Sequence, residues 1–464
     1  MVVDRLRKAL GDKVSTDAAL LMARRHDSWV LSLLEDVEKR ASPLPQCVVR
    51  PASVDDVVTV VNACRETATP LVPFGLGSGV CGGVRSPDGA VVLDMGAMNR
   101  IRSIDADNLL ASFDAGVRGS DAEDALAERK LTLGHYPQSI GISSVGGWVA
   151  TRAAGQFSTA YGNVEDVIFS LEAVLPSGER VETRGTPRAS AGPDLRHFFL
   201  GSEGTLGVVT GVTYSIRRAP EVRTPSAYHV ATMHDGFELQ RELVQSGFQP
   251  AVLRLYDADE SSRMFSKFAR DGSALLLVIS EGPGARVAAE TAAIQAIAQR
   301  RGAATASSEA AERWLRDRNH VPTLTSFLEG GMVVDTIEMA ATWSRIDDIY
   351  RRAVAALRDV PGMMAASAHS SHVYRSGINL YFTFAARPER REDLAATYLA
   401  SWRAVMDATL AGGGGIAHHH GIGRMRKALL GKEVGEGGLS ALRALKRALD
   451  PVGFMNPGVL FPDE

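Results

Sequence analysis

Two sets of residues in this 464-residue sequence could do chemistry. The first is a loop, Pro70 to Val84, P-L-V-P-F-G-L-G-S-G-V-C-G-G-V, with glycines at Gly75, Gly77, Gly79, Gly82 and Gly83. Glycine permits positive φ and close backbone approach, so such a loop can turn several N–H groups toward one anion, and a pyrophosphate is the natural guest. Neither common phosphate fingerprint applies. No lysine follows the last glycine, as a P-loop needs, and Val80 to Val84 lead into the turn R-S-P-D-G instead of opening a helix.

The second set is dispersed along the chain. Tyr381 lies in N-L-Y-F-T-F, whose alternation puts Asn379, Tyr381 and Thr383 on one face and Leu380, Phe382 and Phe384 on the other. That suits a site wall, or a core tyrosine with its hydroxyl satisfied. His418, His419 and His420 follow a run of four glycines; if extended, His418 and His420 face one way and His419 the other. Arg254, in A-V-L-R-L-Y-D, sits inside an apolar strand and needs an anionic partner or a stacked ring when buried. His369 and His372, in H-S-S-H, could hold zinc with the triplet or line a substrate pocket. The pocket reading is preferred, and no metal is expected.

The elements that must position these residues are legible. The run from Cys47 reads as a strand, and Ser53 as the N-cap of a helix with Asp55 and Asp56 in its first turn. Val54, Val57, Val58 and Val61 recur at helical spacing and so pack on a sheet. Strand, helix, strand, glycine loop and strand (Val91 to Met95) make a small α/β unit, after two lead-in helices within residues 1–42. Residues 109 to 135 repeat the logic, with Ser120 capping a helix through Arg129. Tyr136 to Gly155, rich in Ser and Gly, reads as a long irregular segment of the functional kind. Asp194 to Ile216 joins a helix, a second glycine turn and an alternating strand.

From about residue 220 to 410, strands (Ala251 to Tyr256, Leu275 to Ser280, Asn379 to Phe384) alternate with helices (Arg286 to Arg301, Trp343 to Leu357, Arg391 to Leu410). The expected fold is α+β, an antiparallel sheet covered by helices. From Gly412 the glycine-turn style returns.

Composition sets the exclusions. A formal charge of −3 argues against a nucleic-acid surface or an anionic-membrane anchor. There is no apolar run of about 18 residues and no apolar signal core at the N-terminus. Three cysteines (Cys47, Cys64, Cys81) do not make a disulfide framework. The expectation is a cytoplasmic enzyme without a transmembrane segment.

Taken together, P-F-G-L-G-S-G-V, S-S-V-G-G-W-V-A-T-R-A-A-G, Y-G-N-V-E-D, G-P-D-L-R-H-F-F-L-G-S-E-G-T-L-G-V-V, L-Y-F-T-F and H-H-H-G-I-G-R-M-R resemble the FAD-binding fold of the vanillyl-alcohol oxidase/p-cresol methylhydroxylase superfamily. Within it the likeness is to the alkyldihydroxyacetonephosphate (alkylglycerone-phosphate) synthases. The resemblance implies a two-part FAD-binding domain, residues 1–218 with a C-terminal return at 411–464, and a substrate or cap domain at 219–410. It implies that Pro73, Phe74, Gly75, Leu76, Gly77, Ser78, Gly79 and Val80 wrap the pyrophosphate. Gln138, Ser139, Ser143, Ser144, Thr151, Arg152, Ala153 and Ala154 would line the dinucleotide and flavin. Glu203, Gly204, Thr205, Leu206, Gly207, Val208 and Val209 would close over them. No histidine stands between Pro73 and Val84, so FAD is expected to be non-covalent, with Cys81 a small buried filler.

The same resemblance places the synthases' acid/base tyrosine at Tyr381, the histidine triplet beside the flavin, and an arginine needed for activity at Arg254. Two departures matter. The synthases' phosphate-binding arginine falls on Thr325, and a neutral hydroxyl is a poor substitute for a bidentate cation. The divalent-metal ligands of related 2-hydroxyacid dehydrogenases fall on Tyr374, Tyr381 and His419, so that site is expected to be absent. Thr325, His369, His372 and Tyr374 are the expected substrate-binding residues. The expected activity is an FAD-dependent oxidase or dehydrogenase acting on a small non-phosphorylated substrate. The alternative is a synthase-like transferase that forms an ether bond through a flavin adduct without net redox. The sequence leaves the electron acceptor open and allows a homodimer.

Overall fold

A computed structural model of the chain describes residues 1–463. The Ser53 side chain accepts from the Asp56 N–H at 3.2 Å and caps the helix Val54–Glu66. Asp55 and Asp56 lie in its first turn, where the helix dipole favours them. Val57, Val60, Val61 and Cys64 of this helix share one core with Cys47, Val49, Leu71, Val91 and Leu93. Those last residues belong to the strands Cys47–Val49, Leu71–Phe74 and Val91–Asp94, which pair in parallel. The short strand Val14–Ser15 adds antiparallel to Cys47–Val49.

The lead-in holds three helices where two were expected: Val2–Leu10, Ala18–Ala23 and Val30–Val37. A second sheet is antiparallel, in the order Ile101–Asp105, Leu110–Asp114, Val208–Ser215, Ile168–Val174, Arg180–Glu182. Two local expectations change. Ser120 is not a cap, because the helix Gly119–Ala127 is capped two residues earlier, at Arg118. The tract expected to be irregular contains the helix Val145–Thr151, capped by Ser144, whose hydroxyl accepts from the Gly147 N–H. Burial of Val145, Trp148 and Val149 outweighs the low helix propensity of its two glycines.

The chain forms two compact units. One comprises Met1–Ala154, Asn163–Arg218 and the residues from His419 onward; the other comprises Gly155–Gly162 and Ala219–His418. The return to the first unit thus begins at His419, where 411 was expected, and residues 155–162 go with the second. That second unit is α+β. Its seven-stranded antiparallel sheet has the order Ala304–Ala306, Val222–Val230, Ala274–Gly282, Val252–Tyr256, Met363–Ser370, Gly377–Ala386, Val333–Thr342. Helices Gly284–Arg300, Trp343–Arg358 and Leu394–Ala411 belong to the same unit. Leu380, Phe382 and Phe384 are fully buried while Tyr381 and Thr383 on the opposite face are half-buried; Asn379, on the latter face, is fully buried as well.

Candidate active site

In the first unit, the strand Leu71–Phe74 carries Pro73 and Phe74 into the glycine loop. The N–H groups of Leu76, Gly77, Ser78, Gly79 and Val80 meet no acceptor among the described residues. Backbone donors at such partly buried positions are normally paired. Gly75 lies against Ser144: a Cβ there would stand 2.7 Å from the Ser144 hydroxyl oxygen. Gly77 has φ +75°, and a Cβ on it would stand 2.8 Å from the Phe74 ring. A succession of unpaired donors on so bare a loop suits a pyrophosphate. The residues present fit FAD.

The other expected cofactor residues divide by what their side chains already do. Ser143 accepts from the Trp148 indole N–H at 2.8 Å, and the Thr151 hydroxyl donates to the Gly147 carbonyl at 3.0 Å. Arg152, at φ +52°, pairs with Glu165 at 3.0 Å. Gln138 is exposed, Ser139 half-buried, and Ala153 and Ala154 are buried. In the second glycine turn the Thr205 hydroxyl donates to the Ser202 carbonyl at 2.7 Å, and Leu206, Val208 and Val209 are buried.

Glu203 does more than line a turn. Its carboxylate accepts from the N–H groups of Ile422 at 2.7 Å and Gly423 at 2.9 Å. The Asn456 amide donates to the carbonyls of Gly83 and Glu203, and Asp27 accepts from the Gly83 N–H at 2.9 Å. Glycine loop, second turn and C-terminal return are thereby tied together. Burial pushes the Glu203 carboxyl up to about 7 and Asp27 up to about 6, with Arg426 opposing at Glu203 and Arg424 near Asp27.

A stability prediction follows from the sign of that shift. As pH rises from the ordinary value of 4.5 to about 7, the unfolded chain loses a proton that folded Glu203 keeps. Stability therefore falls with rising pH across that window. Glu203→Gln keeps an oxygen for the two N–H groups and should remove a slope worth on the order of 3 kcal/mol over the window. Denaturant unfolding at pH 5 and pH 7 measures it; equal slopes in wild type and variant would mean that Glu203 does not titrate there.

In the second unit the sheet register assembles a row. Tyr256 stands opposite His369, His369 opposite Tyr381, and Tyr381 opposite Glu338, on four adjacent strands. Directly opposed residues share a face about 5 Å apart. The Tyr256 and His369 rings stack with centroids 5.1 Å apart, and His369 and Tyr381 at 4.9 Å with 10° between planes. His369 Nδ1 lies 3.0 Å from a Glu260 carboxylate oxygen. Arg254, 7% exposed, donates from Nε to the Tyr256 hydroxyl at 3.0 Å and lies 5.1 Å above the Trp314 ring. No carboxylate of the described residues is in ion-pair reach of it. The stacked-ring alternative for Arg254 is the one realised.

His372 and His418 belong to the second unit. His372 and His418 stack with centroids 4.8 Å apart; Ser158 meets His372 Nδ1 at 2.7 Å, and the Tyr374 hydroxyl meets His418 Nε2 at 2.7 Å. The His418 backbone N–H donates to Glu338. Asn379 accepts from the N–H groups of Ser371 and His372 and so shapes the H-S-S-H turn. His419 and His420 belong to the first unit, where their rings meet edge to face at 4.6 Å. Thr325 opens the short helix Thr325–Glu329 and is half-buried.

Sequence reading missed Glu260, Glu338, Tyr256, Trp314 and His135. Glu260 sits in the first turn of Ala258–Met264, where an acid is unremarkable on dipole grounds. His135 is buried against Trp148 with neither ring nitrogen partnered, and burial lowers it to about 3, so it is neutral. The one signal was its place two residues before the Pro137–Gln138 tract.

The FAD binding domain family matches residues 45–184, and the family of FAD linked oxidases, C-terminal domain, matches residues 219–460. The FAD-linked oxidoreductase YgcU of Escherichia coli K12 is 34% identical over 483 residues, covering 100% of this chain and 98% of its own. Alkyldihydroxyacetonephosphate synthase of Trypanosoma brucei brucei is 30% identical over 99% of this chain and 80% of its own. Among solved structures, an alkyldihydroxyacetonephosphate synthase superposes with TM-score 0.84 at 24% identity, covering 98% of this chain and 85% of its own. Substrate-bound p-cresol methylhydroxylase gives TM-score 0.81 at 18% identity, covering 100% and 96%. At those identities the structures speak to the fold alone. No described helix is long and apolar enough to cross a membrane.

Proposed function

The chain belongs to the FAD-linked oxidases of the vanillyl-alcohol oxidase/p-cresol methylhydroxylase family, with FAD as its cofactor, and on that premise we propose that it is an oxidase or dehydrogenase of a small, non-phosphorylated substrate. FAD, bound without a covalent link, supplies the hydride acceptor. The chain's own part is acid–base and electrostatic. The Tyr381 hydroxyl and a histidine manage the substrate's proton and orient its oxygen. Arg254, a buried cation with aromatic rather than acidic neighbours, is free to stabilise negative charge developing on that oxygen. His418 and Tyr374, hydrogen-bonded to each other, and His372 line the substrate.

The observation that carries the non-phosphorylated reading is Thr325, a neutral half-buried hydroxyl where the synthase likeness calls for a phosphate-binding arginine. Whole-length likeness to a synthase supports a second reading: a transferase that exchanges an acyloxy for an alkoxy group without net redox. Anaerobic mixing with a panel of primary and secondary alcohols decides between them. We expect the yellow flavin to bleach with at least one. No bleaching, with ether product formed from a long-chain alcohol and an acyloxy-ketone phosphate, would establish the transferase instead.

A further inference from the structure

The His369 ring is held on both faces and at one edge. Tyr256 and Tyr381 cover the faces, and Glu260 takes Nδ1 at 3.0 Å. Glu260 is fixed in turn by the Thr383 hydroxyl at 3.1 Å and the Ser367 hydroxyl at 3.4 Å, with Arg263 4.0 Å away. His369 Nε2 meets no partner among the described residues. A carboxylate on one ring nitrogen keeps the proton there and leaves a lone pair on the other. The side chain stays 11% exposed and Nε2 is not among the fully buried atoms, so that nitrogen is open to a small molecule.

We propose that His369 is the catalytic base of this site, that Glu260 is its positioning residue, and that the substrate carries a primary or secondary hydroxyl group. This rests on the oxidoreductase reading and names the histidine which that reading leaves open. Oxidised FAD, once bound, would supply the acceptor for the carbinol hydrogen, which would leave as a hydride with its two electrons. The hydroxyl proton ends on His369 Nε2, and the C–O bond becomes a carbonyl. The resulting imidazolium pairs with Glu260 until its proton passes to solvent. Tyr381, stacked on the same ring, orients the substrate oxygen.

The electrostatics agree. Burial, the largest influence, lowers His369 below its ordinary value and so keeps it neutral; Glu260 opposes, while Arg254 and Arg263 add to the lowering. Burial works to raise Glu260, but His369, Arg263 and the Thr383 hydroxyl outweigh it and hold the carboxyl below its ordinary value. The Tyr256 and Tyr381 rings complete the surroundings.

Two measurements on the holoenzyme test the proposal. In long-range proton–nitrogen spectra of ¹⁵N-histidine-labelled protein, with His369 assigned from the peak missing in His369→Gln, the ring should carry its proton on Nδ1. Glu260→Gln should shift it toward the other tautomer. In anaerobic stopped-flow mixing with the alcohol panel, His369→Gln should lower the limiting reduction rate by roughly 10²- to 10⁴-fold at unchanged FAD content. Glu260→Gln should cost about tenfold and move the pH midpoint of reduction. An Nε2–H tautomer in the wild type overturns the proposal whatever the substrate. Wild-type bleaching with an undiminished rate in His369→Gln overturns it and leaves the oxidoreductase reading standing. No bleaching with any alcohol overturns both.

Discussion

Gly77→Asp should leave the protein folded and colourless. The glycine has φ +75°, and a Cβ on it would meet the Phe74 ring at 2.8 Å, so any side chain there strains the loop. Aspartate adds a negative charge beside the unpaired N–H groups of Leu76 to Val80. Two unit charges about 4 Å apart repel by roughly 4 kcal/mol at an effective dielectric near 20, which corresponds to about 10³ in affinity. Gly77→Ala separates the causes, since it carries the strain without the charge and should keep more FAD. The measurement is flavin released into the supernatant on acid precipitation, with the melting temperature of the apoprotein as the control for folding. The wild type should release intact FAD. Colour remaining in its pellet would contradict non-covalent binding, and normal FAD content in Gly77→Asp would mean that the loop serves another ligand.

Tyr381→Phe should lower flavin reduction by roughly 10²- to 10⁴-fold, the usual worth of a positioned acid–base group. The ring stays, so its stacking on His369 at 4.9 Å stays with it. FAD content and melting temperature should therefore hardly move. Only the hydroxyl that orients the substrate oxygen is lost. Full turnover in this variant would make Tyr381 a packing residue of the sheet and would remove the centre of the proposed site.

The sequence by itself determined what depends on near neighbours along the chain. Ser53 could be named as a cap because its partner, the Asp56 N–H, lies three residues on. The faces of Asn379 to Phe384 could be assigned because a strand alternates with period two whatever it pairs with. The glycine loop could be read as a candidate pyrophosphate cradle because bare backbone can itself be the binding device. The glycines in Val145–Thr151 misled for the same local reason, since the burial that makes that segment helical comes from elsewhere.

Tertiary structure alone decided who meets whom. Alternation fixes the face on which Tyr381 lies, but not that His369 and Glu338 stand opposite it. That is a matter of register between strands, set by turn geometry and by burial of the whole hydrophobic face. Glu260 is the clearest case. In its own helix it is an acid in a favourable first turn, indistinguishable from many others. Its partner His369 is 109 residues away in sequence, and no local pattern carries information over that distance. Only the long-range pairing of the seven-stranded sheet brings carboxylate and imidazole to 3.0 Å.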